Sequence, residues 1–125
     1  MAAALCIGLL AGCGGDDADG PEAQISALVT QLEQASKDGD GDRICKEIFN
    51  ENLRISVQRA SDQPCADEVA ENVTADDADY DIENLEVNGK NATAELVDQR
   101  GERSAVLFQQ EGDEWRIGRI AGVGS

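Results

Sequence analysis

Apolar residues recur along this chain in two rhythms. Ile25, Leu28, Val29, Leu32 and Ala35 fall three and four positions apart, the spacing of one stripe on an amphipathic helix. Asp19-Gly20-Pro21-Glu22 ahead of the stripe suits a helix start, with Pro at the first helical position and an acid at the positive end of the dipole. Lys37-Asp38-Gly39 suits its end. The alternating Asp and Gly of residues 38–42 predict a turn in which Asp40 or Asp42 caps a second helix through its side-chain oxygen. That helix carries Ile44, Cys45, Ile48 and Phe49, with a further piece over Leu53, Ile55 and Val57. A short third helix is predicted from near Ser61-Asp62, with Pro64 in its first turn and Cys65, Val69 and Val73 along it.

After Ala75-Asp76-Asp77 the rhythm shortens to two. Tyr80-Asp81-Ile82 alternates, and Leu85-Glu86-Val87 alternates one residue out of step, which predicts a bulge near Asn84. Asn88-Gly89 is a strong hairpin signal, followed by Ala92, Ala94 and Leu96 on a return strand. Arg100-Gly101 marks the next turn. Ser104 to Gln110 reads as a third strand, and Glu111-Gly112-Asp113 turns into a fourth through Trp115-Arg116-Ile117. Helices first and a four-strand antiparallel meander last make an α+β class, with two to three N-terminal helices packed on the sheet.

The first twelve residues follow neither rhythm. They are apolar and small, too short to span a bilayer, and they end in Leu10-Ala11-Gly12-Cys13 followed by glycines and acids. This stretch resembles the lipobox of bacterial lipoproteins, in which the cysteine thiol receives a diacylglycerol and the peptide before it is removed. The resemblance implies a signal peptide over 1–12, a lipidated Cys13 opening a flexible acidic tether over 13–20, and one domain over 21–122. It implies a membrane contact through the lipid on Cys13 and a location on the outer face of the cytoplasmic membrane. No Lys or Arg precedes Lys37, so a translation start upstream of Met1 is expected.

Charge narrows the partners. The chain carries 26 acids against 10 bases, a formal charge of −16, with most acids ahead of Val87. No basic stripe exists to displace counterions, so nucleic acid is not an expected partner. Anionic lipid would repel the domain, so attachment would fall to the lipid on Cys13. A solvated, soluble surface is the simplest use of so many acids.

The acidic turn before the second helix, the helices, and the meander ending in Gly112-Asp113-Glu114-Trp115-Arg116-Ile117 together resemble the nuclear transport factor 2-like superfamily. Small actinobacterial lipoproteins of that kind carry a Gly-Asp turn, here Gly41-Asp42, and a Cys pair between helices, here Cys45 and Cys65. The resemblance covers about residues 22–121. It implies a curved, cone-like sheet around an internal pocket, a fold that serves both enzymes and non-catalytic binding modules. With Cys6 removed and Cys13 lipidated, Cys45 and Cys65 are expected to form a structural disulfide, with two free buried thiols as the alternative.

Candidate chemistry is sparse. The chain has no His, which removes Ser-His-acid and Cys-His arrangements and leaves no usual zinc set. Asp38, Asp40, Asp42 and Glu47 invite comparison with a calcium loop opened by Ser36, but Arg43 stands where an apolar residue packs and Cys45 would leave its helix. Capping acids in a turn explain them better. A buried Asp or Glu could still serve an isomerase- or dehydratase-like pocket if its pKa were raised, with Tyr80 as a hydrogen-bond donor. Tyr80, Phe108 and Trp115 are the pocket candidates, although the core claims large apolar side chains first. No cofactor is expected. The function expected is a non-catalytic module that binds a small ligand or a cell-envelope protein. A small pocket enzyme is the alternative, and cation binding by the acidic helical half is a weaker one.

Overall fold

In a computed structural model that describes residues 20–121, the three-and-four stripe folds as α1 (Pro21–Lys37). Leu10, Ala11, Gly12 and Cys13, with the expected signal peptide and most of the tether, lie outside the described residues. Pro21 opens α1 and Ile25, Leu28, Val29, Leu32 and Ala35 are all buried along it. The side chain of Asp40 then accepts from Arg43 N at 3.1 Å and caps α2 (Gly41–Arg43). The chain widens at once into a π-type segment (Ile44–Ile48), in which Phe49 N donates to Ile44 O across five residues at 2.8 Å. Asn50 caps α3 (Glu51–Ser61) by accepting from Leu53 N at 2.9 Å.

Two expectations about the helices need correction. There are four helices plus the π-type segment among the described residues, where two to three were expected. Ser61-Asp62 ends α3 instead of starting the next helix, because Asp62 takes a left-handed conformation (φ 60°) that closes the helix. Pro64 stands just ahead of α4 (Cys65–Asn72), in an extended conformation.

The sheet is an antiparallel meander of β1 (Asp81–Asn88), β2 (Asn91–Val97), β3 (Arg103–Glu111) and β4 (Glu114–Ile120), in the order β1-β2-β3-β4. Asn88 pairs with Asn91 across the Gly89-Lys90 turn, as the Asn-Gly signal predicts. The register shifts between Glu83 and Glu86, where Asn84 adopts φ 57°, so the predicted bulge is present. A second irregularity lies between β3 and β4: Phe108 pairs with Ile117 and Leu107 with Arg119, leaving Gly118 over. The free edge of β4 is partly covered, since Asn50 N donates to Ile117 O at 2.9 Å.

One face of the sheet meets the helices. Ile25, Ile44, Phe49 and Val57 from the helical half and Phe108 and Ile117 from the sheet belong to one buried cluster. On the other face Arg103 bridges Glu83 and Glu95, a solvent-exposed ion-pair triad. Cys45 and Cys65 stand at disulfide distance, with sulfurs 2.07 Å and Cα atoms 6.2 Å apart, and both are buried. They tie the π-type segment to α4. The same contact depends on Gly41: a Cβ there would lie 2.2 Å from the Ala66 carbonyl oxygen. Among the described residues, no helix is long and apolar enough to cross a membrane.

Candidate functional site

The first half of α1 and the β3–β4 hairpin face each other across an open cleft of about 520 Å³. Gln24, Leu28 and Gln31 share one side of α1 at four- and three-residue steps and form one wall. Ala27 and the narrow exposed edges of Leu28 and Trp115 supply apolar surface, while Glu47, Asp113 and Glu114 bring carboxylates from the π-type segment and the hairpin. Trp115 is only 5 % exposed, and its indole Nε1 is buried with no hydrogen-bond partner among the described residues. Arg116 is held in place: its Nη1 donates to Lys46 O at 2.8 Å and its Nη2 to Glu114 Oε1 at 3.0 Å. The arginine thus reaches the π-type segment.

A second cleft, of about 340 Å³, opens where the end of α4 meets the β2–β3 turn, with Tyr80, Asp77, Asp98 and Gln99 among its walls. Tyr80 is half-buried and packs on the core. Burial pushes its phenol above the ordinary value of 10.0, and the carboxylates of Asp98 and Glu33 push the same way against the Ser36 hydroxyl beside it. Ser36 Oγ is itself buried and outside hydrogen-bond geometry with any of the described residues. Tyr80 N donates to Glu33 Oε2 at 2.7 Å, which fixes the chain where it enters β1. Asp98 is held below the usual carboxylate range by the backbone N–H groups of Glu102 and Arg100, each 2.9 Å from its Oδ1. That direction keeps a proton off the carboxylate and suits neither a general acid nor a poised base near neutral pH.

The remaining candidates separate in space. Phe108 is fully buried opposite Ile117 and lines neither cleft. Asp38 lies at the C-cap of α1, Asp40 caps α2, Asp42 pairs with Lys46 at 3.3 Å, and Glu47 pairs with Arg43 at 3.6 Å. These four acids serve local helix chemistry, and among the described residues no group of three or more His, Cys, Asp or Glu is placed to hold a metal ion.

One polar junction escaped the sequence reading. Asn50, 3 % exposed, donates from Nδ2 to Gln109 Oε1 at 2.9 Å while its Oδ1 caps α3. Gly118 makes the junction possible, because a Cβ there would come within 2.3 Å of Gln109 Oε1 and 3.0 Å of Asn50 Nδ2. An Asn just ahead of a helical run is a detectable cap signal. Nothing in the sequence spacing points from Asn50 to Gln109.

Set against protein-family models, curated proteins and solved structures, the chain matches none of them.

Proposed function

We propose that this protein is a non-catalytic binding module of the bacterial cell envelope, lipid-anchored through Cys13 on the outer face of the cytoplasmic membrane. The observation that carries the binding reading is the open cleft beside α1, lined by Gln24, Gln31 and the edge of Trp115 and rimmed by carboxylates. A surface of that shape suits recognition of a partner or ligand.

Helix α1 starts at Pro21, so only seven residues separate it from Cys13, and they reach at most about 25 Å. A domain held that close would meet partners at the membrane surface. We also read the helices-then-meander order as a nuclear transport factor 2-like arrangement. The two register irregularities support it, since each bends a sheet in the way a cone requires.

Intact-mass analysis of the protein from native membranes, combined with cross-linking, tests the proposal. The expected species begins at Cys13 and carries a diacylglycerol. A chain beginning at Gly14 or later, or an unmodified Met1 terminus, overturns the anchor. Recovery of only uncross-linked protein across reagents of several lengths, with no small molecule co-purifying, overturns the binding reading.

A further inference from the structure

We infer that the cleft between α1 and the β3–β4 hairpin docks a basic, extended segment of a partner protein. This rests on the binding reading above and adds the chemistry of the occupant. Three carboxylates, Glu47, Asp113 and Glu114, stand on the rim, and Arg116 is the one basic side chain among the lining residues. Its guanidinium is paired with Glu114 and held by Lys46 O, so the arginine and that carboxylate offset each other and Glu47 and Asp113 are left to meet a ligand. Glu47 and Asp113 are exposed, and the ion pair of Glu47 with Arg43 at 3.6 Å is of the exposed kind that contributes little. The rim therefore attracts Lys or Arg and repels acidic segments and anionic lipid.

The shape fits the same class of occupant. Gln24 to Gln31 spans about 10 Å of helix, the length of about three residues of extended chain. Exposed Ala27, with the narrow exposed edges of Leu28 and Trp115, offers apolar surface for the methylene stems of Lys or Arg while their heads reach the carboxylates. The Gln31 amide can both donate to and accept from peptide groups. At larger distance the −16 charge of the chain steers a basic segment inward, with a strong dependence on salt.

Trp115 is the only tryptophan of the chain, so its fluorescence reports on this cleft alone. The full chain is titrated with a capped seven-residue peptide alternating lysine and leucine, and with its glutamate counterpart. Chemical shifts of the Gln31 and Glu47 amides are followed in parallel, so that binding that leaves the indole emission unchanged is still seen. The expected result is a saturable response to the lysine peptide alone, weakening at least threefold between about 50 and about 300 mM salt. Asp113→Asn combined with Glu114→Gln, both in the exposed hairpin, weakens binding at least fivefold while thermal stability is retained. No saturable response in either signal by millimolar peptide, equal responses to the two peptides, or unchanged affinity in the double variant each overturns the inference. A cross-linked partner found from native membranes while the peptides fail leaves the binding reading standing and removes only the basic segment.

Discussion

Gly41→Ala sets two physical effects against each other. Gly41 opens α2 with an ordinary negative φ, so helix propensity alone favours alanine by up to about 1 kcal/mol. Packing argues the other way. The added Cβ would stand 2.2 Å from Ala66 O and 3.1 Å from both Ala66 C and Ala70 N. These are backbone atoms of α4, so no side chain can rotate aside. Relieving the contact means moving α4 by about 1 Å away from the segment to which Cys45–Cys65 ties it. Overpacking of this kind costs about 1–3 kcal/mol. For a domain of this size that corresponds to a fall in Tm of roughly 5–15 °C. Thermal unfolding followed by far-UV circular dichroism measures it. Gly39→Ala is the comparison: a Cβ there meets nothing within 4 Å, and the cost comes only from φ +68°. A Gly41→Ala Tm equal to or above wild type would refute the packing reasoning, because propensity would then have won.

Other expectations follow from the same geometry. Reducing Cys45–Cys65, which closes a loop of 20 residues, removes about 3 kcal/mol and lowers Tm by roughly 10–20 °C in a scan with and without reductant. Asn50→Ala loses the α3 cap and leaves half-buried Gln109 Oε1 short of a donor, a loss of about 1–3 kcal/mol in urea unfolding, whereas Asn52→Ala on the exposed side of α3 changes little. Tyr80 is the only tyrosine, so absorbance near 295 nm follows its ionisation directly, and the midpoint should lie above 10.0. Because the folded pKa is the raised one, the contribution to stability is complete below the unfolded value and is lost as pH rises through the folded one; Tyr80→Phe should remove that alkaline loss.

Much of the fold is legible in the sequence because its signals are local. The stripe from Ile25 to Ala35, the Asn88-Gly89 turn and the out-of-step pair Tyr80-Ile82 and Leu85-Val87 each report on residues a few positions away. The end of α3 was harder to read. Ser61-Asp62 is a helix-start signal in composition, and only the left-handed turn at Asp62 shows that it closes the preceding helix. The candidate site is less legible still. The cleft joins residues near position 28 to residues near position 115, and the Asn50–Gln109 junction spans 59 positions. Such pairings follow from the packing of helices on sheet, which a single sequence does not spell out. Gly41 and Gly118 show the same limit: each reads as a turn or bulge residue, yet each is needed for what lies opposite it in space.

Both cysteines of the disulfide precede the first strand residue, Asp81, so the loop they close contains no part of the sheet. A chain that emerges from its N-terminus can therefore staple its helical half before the meander has been delivered, since leading segments fold as they appear. The sheet then adds strand by strand, each pairing with its predecessor in the chain. The covalent framework and the hairpin that bears Trp115 are thus separate modules of one domain. The hairpin can vary in length and charge without disturbing the staple.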